Sequence, residues 1–369
     1  MFDAASTWLP GTPKEELDTP AFVIDLDAME RNIRRMADYF AERPVNLRPH
    51  SKHHKTPAIA RKQLDAGAIG VCCQKLGEAE VMVDAGIPDV LVTYQLWGAA
   101  KLRRLMSLVR RADVKVIVDD ARNVADLSEA AQAFGVTLGT LVEVNTGHNR
   151  TGVDPGAPAV ALAKAVAASP GLALRGVHGY AGHVQAIPDE EERAEKDRAA
   201  MAPVFETVEQ LRREGLDADI VTGGGTGTYK TAGNYTGMTE LQPGSYVFMD
   251  AQYRRATTDF EVSGRILATV MSRVAEDRAV LDAGMKTVST DQWPPLFPGM
   301  EGIEAKSISD EHMVLTLTDS DARQLRAGDK LELVPGHNDT TVNLHSHLFA
   351  VRNEALETVW ETAARGRIR

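Results

Sequence analysis

The sequence predicts an α/β fold in which a (β/α)8 TIM-type barrel is combined with a β domain. Short apolar segments alternate eight times with segments that carry apolar residues at helical spacing. Several of the helical segments end at a glycine, namely Gly67, Gly86, Gly135 and Gly215. Beyond Phe260 the apolar segments follow one another without long helical spacers, which indicates β structure. An open doubly wound sheet has the same alternation and is the alternative for the first part.

The predicted barrel strands lie at residues 46–48, 69–72, 90–94, 114–118, 141–145, 176–180, 220–222 and 240–241. An earlier strand at 23–26 leads into a helix that we expect to begin at Asp27, because Asp27 and Glu30 form an Asp-x-x-Glu start signal. Strands at 262–274, 279–282, 312–317 and 331–334 indicate the β domain. We therefore expect the barrel at residues 27–258, and the β domain at residues 1–26 and 259–369.

The composition excludes several classes of protein. With 43% apolar and 25% charged residues, the chain has the balance of a soluble globular protein. A net charge of −11 disfavours nucleic acid as a partner, because phosphates need a basic surface. The two cysteines, Cys72 and Cys73, are adjacent and predict core thiols without an intramolecular disulfide. Since no secretory signal and no membrane-spanning apolar stretch is present, we expect a cytoplasmic protein without a membrane partner.

The most unusual stretch is residues 48–56 (RPHSKHHKT), which places three histidines, two lysines and one arginine within nine residues. A lysine set among other cations and partly removed from water has its protonated form disfavoured, which makes its amine a nucleophile towards a carbonyl. Lys52 and Lys55 are therefore candidates for a Schiff base. A solvated basic loop is the alternative, because charge-dense turns are common on protein surfaces.

Polar residues follow several predicted strands, and in a barrel the carboxyl ends of the strands share one rim. Arg150 follows the fifth strand and is suited to bind an anionic or phenolate oxygen. Residues 222–228 (TGGGTGT) follow the seventh strand, where glycine N–H groups and threonine hydroxyls can bind one phosphate. A flexible turn is the alternative, and the pattern is neither a Walker loop nor a dinucleotide motif. A lysine and a phosphate cradle on one rim suit pyridoxal phosphate, which has an aldehyde and a phosphate.

Four segments together resemble the D-threonine aldolase and D-serine dehydratase family, whose members are fold-type III pyridoxal-phosphate enzymes with an alanine racemase-like architecture. They are residues 47–56 (LRPHSKHHKT), 70–80 (GVCCQKLGEAE), 222–228 (TGGGTGT) and 335–339 (PGHND). The resemblance covers nearly the whole chain and is nearest to the aldolase branch. It implies that Lys52, the first lysine of the His-x-Lys-x-His-Lys motif, carries the cofactor. It also implies a homodimer.

The resemblance assigns the other cofactor contacts as well. Arg150 matches the family arginine near the phenolic oxygen of the cofactor, and Tyr180 lies in the segment that lines the cofactor. The phosphate site matches the glycine-rich loop, with Thr222, Gly224, Gly225 and Thr226 as the expected contacts.

His337 and Asp339 are the candidate metal ligands. In an extended chain, residues two apart face the same side, so both side chains can reach one cation. From the residues alone a polar turn is the better interpretation, with His345 and His347 on one face of a strand. The resemblance implies the metal site instead, because the aldolases hold a divalent ion with a His-x-Asp pair, whereas the dehydratases have cysteine at the second position. An imidazole and a carboxylate suit Mn²⁺ or Mg²⁺ better than Zn²⁺.

We therefore expect an aldehyde-lyase that cleaves a D-configured 3-hydroxy amino acid to glycine and an aldehyde, with Lys52 and His337 as catalytic residues. The metal assists loss of the proton from the 3-hydroxyl group. The sequence does not decide between D-threonine and 3-hydroxyaspartate as the substrate. A dehydratase of D-serine or 3-hydroxyaspartate is the alternative, and a pyridoxal-phosphate carrier without enzymatic activity is the third hypothesis.

Overall fold

The computed structural model describes residues 8–216 and 218–369, and the chain folds into two compact units. The sheet unit contains the residues up to Arg34, together with His53–Thr56 and Ser245–Arg365. The barrel unit contains Arg35–Lys52, Pro57–Gly244 and Gly366–Arg369. Residues 1–7, with which the predicted β domain begins, lie outside the described residues.

The described chain leads into strand β1 (Ala21–Asp25) and helix α1 (Leu26–Ala41). The Asp25 carboxylate accepts a hydrogen bond from the Ala28 N–H at 3.0 Å, so Asp25 caps the helix. The expected start at Asp27 is therefore wrong. The carboxylates of Asp27 and Glu30 instead form ion pairs with Arg352, at 3.1 Å in the case of Glu30.

Eight parallel strands form the sheet of the barrel unit. They are β2 (Asn46–Leu47), β3 (Val71–Cys73), β4 (Asp89–Val92), β5 (Asp113–Val118), β6 (Leu138–Glu143), β7 (Leu172–Gly179), β8 (Ile220–Gly223) and β9 (Glu240–Leu241). Each predicted barrel strand is therefore confirmed, with shifted boundaries. The largest shift is at β7, which begins at Leu172 because Leu172 pairs with Leu138 of β6.

Helices alternate with these strands along the chain. They are α2 (Pro57–Asp65), α3 (Leu76–Asp84), α4 (Ala99–Val109), α5 (Ala121–Phe134), α6 (Ala157–Ala168), α7 (Glu190–Arg213) and α8 (Tyr229–Ala232). Gly135 ends α5 in the left-handed conformation, with a φ of 62°, as expected for a helix-terminating glycine. Across residues 8–216 and 218–369, no helix combines the length and the apolar character needed to span a membrane.

The sheet of the barrel unit runs in the order β2-β9-β8-β7-β6-β5-β4-β3. Directly after β2, His50 forms a parallel bridge with Cys72 of β3, and the Cys72 N–H donates to the Pro49 carbonyl at 2.8 Å. The first and last strands of this order are therefore joined, which closes the predicted (β/α)8 barrel. An open doubly wound sheet has two free edges, so this alternative is excluded.

Apolar side chains from five strands form a core cluster of the barrel unit. Its members are Cys72, Leu91, Ile117, Leu141 and Ile220. Cys72 and its neighbour Cys73 are both free and 0% exposed, and burial raises the pKa of both thiols. The two cysteines are thus core thiols, as predicted.

The sheet unit contains a second eight-stranded sheet. Besides β1 it consists of β10 (Gly264–Ala275), β11 (Arg278–Leu281), β12 (Ile303–Ile308), β13 (Met313–Leu317), β14 (Lys330–Leu333), β15 (His347–Arg352) and β16 (Ala355–Glu361). The order is β12-β13-β11-β10-β1-β15-β16, and β14 pairs with β10. The strands predicted beyond Phe260 correspond to β10, β11, β13 and β14. Strands β12, β15 and β16 and the short helix α9 (Asn338–Val342) were not predicted.

A buried ionic group connects four strands of the barrel unit. Arg48 follows β2, is 1% exposed, and donates two hydrogen bonds of 2.9 Å to the carboxylate of Glu240 at the start of β9. It donates two more, at 2.6 and 3.2 Å, to Asp89 at the start of β4. Lys115 on β5 adds a contact of 2.9 Å to Asp89. Lys115 also lies 2.8 Å from the carboxylate of Asp113, so both cations of the group have anionic partners.

Replacing Arg48 by methionine is expected to destabilise the protein by about 3–5 kcal/mol, because it leaves the buried Glu240 carboxylate without its cation. The measurement is the midpoint and slope of urea unfolding. The double variant Arg48→Met/Glu240→Gln is expected to recover part of the loss, since it removes the unpaired charge. A stability of Arg48→Met within about 1 kcal/mol of the wild type would show that the group is not needed.

Candidate active site

The basic stretch is buried, so the alternative of a solvated loop is wrong. His53 and His54 are 0% exposed, and His50 and Lys55 are each 7% exposed. Lys52 itself is half-buried in a one-turn 3-10 helix, Ser51–His53. Burying this many polar groups requires specific partners for them, which is typical of a functional site.

The backbone at Lys52 is held against the ends of two barrel strands. The Ser51 hydroxyl donates to the Cys72 carbonyl on β3 at 2.9 Å. The His50 ring nitrogen Nε2 lies 3.1 Å from the hydroxyl of Thr93, the residue after β4. The Lys52 N–H donates to Nδ1 of His50 at 3.3 Å. Lys52 therefore has a fixed position at the carboxyl ends of the strands, where barrel enzymes carry their chemistry.

The glycine-rich loop after β8 has the donors that a phosphate requires. Among the described residues, the N–H groups of Gly224 and Gly225 have no hydrogen-bond acceptor. The hydroxyl of Thr222 accepts a hydrogen bond from Gln242 at 2.8 Å, so its own proton can be donated elsewhere. Thr226 is 1% exposed in the same loop. These residues fit a phosphate, which accepts several hydrogen bonds at once.

Close packing holds the loop in place, so the alternative of a flexible turn is wrong. A Cβ atom at Gly223 would lie 1.9 Å from the carbonyl oxygen of Gly179, and one at Gly227 would lie 1.9 Å from that of Gln185. No side chain fits at these separations. Gly224 has a φ of +64°, which also favours glycine. The glycines therefore allow the loop to pack closely, in addition to contributing N–H donors.

Arg150 and Tyr180 follow β6 and β7 and lie together. Arg150 is exposed, and its guanidinium carbon is 5.5 Å from the centre of the Tyr180 ring. The rings of His148 and His183 stand beside them, with their centres 5.5 Å apart. Burial and the neighbouring charges of Arg150 and His183 lower the pKa of His148. The exposed guanidinium is accessible to an anionic oxygen.

A buried polar group at the ends of β6 and β7 was missed from the sequence. Oε1 of Glu143 lies 3.5 Å from Nδ1 of His178 and accepts a hydrogen bond from Thr151 at 3.0 Å. Gln95 donates to Glu143 and, at 2.9 Å, to Asp119. Burial would raise the pKa of Glu143, but the neighbouring His178 imidazole and the hydrogen bonds from Gln95 and Thr151 lower it overall. The only sequence signal is that each residue lies at or near a strand end.

His337 and Asp339 lie together in the sheet unit, although not in an extended segment as expected. His337 precedes α9 in an extended conformation, and Asp339 lies in the first turn of that helix. Nε2 of His337 is 4.0 Å from Oδ2 of Asp339. The two side chains thus lie close together, as the predicted metal site requires, and the metal site itself stays a prediction.

Asp291 fixes the ring of His337. Its Oδ2 accepts a hydrogen bond from Nδ1 of His337 at 3.1 Å, and its Oδ1 accepts from Ser289 and Thr340 at 2.6 and 2.8 Å. Burial would raise the pKa of Asp291, but these three hydrogen bonds outweigh it and lower the pKa to about 2. The carboxylate therefore stays charged and keeps the proton on Nδ1, which leaves the lone pair on Nε2 for an ion.

His53 contacts the predicted second ligand, Asp339. Its Nδ1 lies 2.7 Å from Oδ1 of Asp339, which holds the carboxylate in place. Within the described part of the chain, Nε2 of His53 is buried and has no hydrogen-bond partner. The described residues contain no group of three or more His, Cys, Asp or Glu side chains arranged to hold a metal. The assignment of His337 and Asp339 as metal ligands stays a prediction.

The two later histidines are engaged elsewhere, and they do not share a strand face. Nε2 of His345 donates to the Thr287 carbonyl at 2.8 Å, before β15 begins, and burial lowers the pKa of this histidine. His347 is the first residue of β15, and its ring centre lies 4.8 Å from that of Trp8. The expectation of one strand face is therefore wrong.

The closed barrel and the second sheet define an alanine racemase-like protein. The alanine racemase N-terminal domain matches residues 24–252, and a putative serine dehydratase domain matches residues 263–351. The 3-hydroxy-D-aspartate aldolase of Paracoccus denitrificans (strain Pd 1222) is 43% identical over 97% of this chain and 95% of its own. The D-threonine aldolase of an Arthrobacter species is 42% identical over 97% of this chain and 95% of its own.

Solved structures agree with these similarities. The crystal structure of D-threonine aldolase from Filomicrobium marinum has a TM-score of 0.95 and 43% identity, and covers 98% of this chain and 99% of its own. The D-threo-3-hydroxyaspartate dehydratase of Delftia sp. (strain HT23) is more distant, at 32% identity over 94% of this chain and 97% of its own. The chain belongs to the family of the D-threonine and 3-hydroxy-D-aspartate aldolases, as the motifs predicted. This family implies pyridoxal phosphate as the cofactor.

Replacing Asp291 by alanine is expected to weaken Mn²⁺ binding about 10–100-fold, because the tautomer of His337 is no longer fixed. Titration calorimetry of the purified protein with Mn²⁺ measures the affinity. Asp310→Ala is the matched control, since it removes an exposed carboxylate of the same unit. Equal Mn²⁺ affinities for the Asp291 variant and the wild type would contradict the orienting role.

Proposed function

We propose that the protein is a pyridoxal-phosphate- and metal-dependent lyase that cleaves a D-configured 3-hydroxy amino acid to glycine and an aldehyde. The observation that carries the proposal is the His337–Asp339 pair, in which Nε2 of His337 lies 4.0 Å from Oδ2 of Asp339 and both side chains are held by further residues. Membership in a family of aldolases supports the reaction type. The substrate is D-threonine or 3-hydroxyaspartate.

The cofactor contacts are assigned to residues of the barrel unit. Pyridoxal phosphate, when bound, supplies an electron sink for the charge left on Cα when the Cα–Cβ bond breaks. Lys52 holds the aldehyde carbon through its amine, and Arg150 binds the phenolic oxygen beside Tyr180. The phosphate is bound by the loop after β8, through Thr222, Gly224, Gly225 and Thr226. The free N–H groups of the two glycines support this assignment.

The metal contacts are assigned to residues of the sheet unit. A divalent ion at His337 and Asp339 supplies positive charge that lowers the pKa of the substrate's 3-hydroxyl group. Asp291 keeps the Nε2 lone pair of His337 available, and His53 fixes the Asp339 carboxylate. One nitrogen and one carboxylate oxygen form a hard donor set, so we propose Mn²⁺ or Mg²⁺ rather than Zn²⁺.

A dehydratase of D-serine or 3-hydroxyaspartate is the second candidate function. The match of residues 263–351 to a putative serine dehydratase domain favours it. The carboxylate of Asp339 argues for the aldolase, since the dehydratases of this family are expected to have a cysteine there. The two reactions differ in their products, because elimination yields a keto acid and ammonia instead of glycine and an aldehyde.

We further propose that the functional domains are a barrel at residues 27–258 and a β domain at residues 1–26 and 259–369. Pairing of β1 with β10 and β15 supports the inclusion of the described N-terminal residues in the β domain. A homodimer is proposed from the family resemblance. A cytoplasmic location is proposed as well, and the free cysteines are compatible with it.

Replacing Lys52 by alanine is expected to abolish the yellow absorbance of the bound cofactor, because the amine that holds its aldehyde is lost. The measurement is the visible spectrum after gel filtration with excess pyridoxal phosphate, with circular dichroism to verify folding. Lys55→Ala is the control and should keep the band. If Lys55→Ala loses the band and Lys52→Ala keeps it, the assignment of the two lysines is wrong.

The proposed reaction predicts that the purified protein, supplied with pyridoxal phosphate and Mn²⁺, releases glycine from D-threonine or D-3-hydroxyaspartate and not from L-threonine. A chelator should abolish cleavage and leave the cofactor absorbance, and added Mn²⁺ should restore the activity, because deprotonation of the 3-hydroxyl depends on the ion. Glycine and keto acid are measured in the same samples.

His337→Ala and Asp339→Ala should behave like the chelated protein. His347→Ala is the matched control, since this imidazole contacts Trp8, and it should retain part of the activity. Keto acid in place of glycine would identify the dehydratase. Full cleavage by a sample that elemental analysis shows to contain no divalent metal would refute the role of the ion.

A further inference from the structure

The loop after β8 is held by two buried residues that belong to the preceding strand–helix unit. Gln185 follows β7 and is 2% exposed, and Arg193 lies in the first turns of α7 and is 5% exposed. Neither residue belongs to the motifs that indicated the cofactor site. Both have side chains directed at a single glycine of the loop, Gly227.

Gln185 binds the loop with both ends of its amide. Its Oε1 accepts a hydrogen bond from the Gly227 N–H at 3.2 Å. Its Nε2 donates to the Thr228 hydroxyl at 3.1 Å and to the Ala181 carbonyl at 3.3 Å. The same Oε1 lies 2.6 Å from where a Cβ of Gly225 would be. Gln185 therefore lies directly beside one of the two glycines whose N–H groups are free.

Arg193 binds the carbonyl of the same glycine. Its Nε donates to the Gly227 carbonyl at 2.7 Å, and its Nη1 donates to the carbonyls of Ile187 and, at 3.2 Å, Pro188. Gly227 is thus held at its N–H by Gln185 and at its carbonyl by Arg193. The guanidinium also brings a buried positive charge to the loop, which favours an anion there.

We propose that Gln185 and Arg193 are positioning residues for the cofactor phosphate, which rests on the proposed function of the loop. A loop of glycines and threonines has many conformations, and ordering it on binding would reduce affinity. Because Gly227 is fixed at its N–H and at its carbonyl, the loop that contains the Gly224 and Gly225 N–H groups is ordered before the phosphate arrives. The two residues therefore set the affinity for the phosphate group and not for the pyridine ring.

The test compares pyridoxal phosphate with pyridoxal, which has the same ring and aldehyde but no phosphate. The cofactor-free protein is titrated with each compound, and the dissociation constant is obtained from the absorbance of the bound form. For Gln185→Met the dissociation constant of pyridoxal phosphate should rise about tenfold or more, the effect of losing a hydrogen bond of ordinary strength. That of pyridoxal should change by less than about threefold.

Further variants separate positioning from folding. Gln185→Glu keeps an acceptor for the Gly227 N–H but adds a negative charge, so it should weaken pyridoxal phosphate more than Gln185→Met does. Arg193→Lys should keep more of the preference for the phosphate than Arg193→Met, because it keeps the charge. Gln63→Met is the matched control, since Gln63 is also a glutamine of the barrel unit that is 2% exposed. It should leave both constants unchanged.

The outcomes distinguish the two proposals. If the wild type prefers pyridoxal phosphate and every variant keeps that preference, the positioning role is refuted and the loop remains the phosphate site. Equal losses for both compounds would show a purely structural role and would also refute it. If the wild type binds pyridoxal as tightly as pyridoxal phosphate, the loop is not a phosphate site and both proposals fail.

Discussion

The buried ionic group around Arg48 is the constraint on which the barrel depends. An arginine inside a protein is tolerated when its donors are satisfied, and here Glu240 and Asp89 satisfy four of them. A shift in the register of β9 or β4 would leave a charge unpaired, so the ionic group specifies one pairing of the strands. Gly70 is part of the same constraint, because a Cβ there would lie 2.5 Å from Nη1 of Arg48. The 3-10 helix that contains Lys52, Ser51–His53, comes shortly after Arg48 in the chain.

Polar contacts also hold the predicted metal-binding residues of the sheet unit in place. Asp339 lies between two imidazoles, with one oxygen on His53 and the other near His337. The Asn338 N–H donates to the buried Asp250 at 3.1 Å, which anchors the helix that carries Asp339. A short helix of Asn, Asp, Thr and Val has little intrinsic stability, so these tertiary contacts hold it. The separation of His337 and Asp339 is therefore set by tertiary contacts and not by the local sequence.

This dependence explains which parts could be predicted. The barrel strands were found because each is a local apolar segment between helical segments. Strand β12 was missed because only its first residue, Ile303, is buried, which gives it no alternating pattern. Lys52, His337 and Asp339 were predicted as site residues from their motifs, and these assignments stay predictions. Asp291 and Gln185 contact their partners across 46 and 42 residues of chain, and no local pattern connects such positions.

The glycine-rich loop shows how one sequence pattern can conceal two physical requirements. Gly223 and Gly227 are glycine because the main chain of Gly179 or Gln185 occupies the space of a Cβ, at 1.9 Å in both cases. Backbone atoms cannot rotate away, so any side chain there would displace the loop. At Gly225 the obstacle is instead the end of the Gln185 side chain, which can move. The sequence alone cannot distinguish a glycine that faces backbone atoms from one that faces a side chain, because the difference lies in the tertiary neighbours of each glycine. The interpretation as a flexible turn fails for this reason, since Gly223 and Gly227 allow the main chain to pack closely while Gln185 and Arg193 hold Gly227 in place.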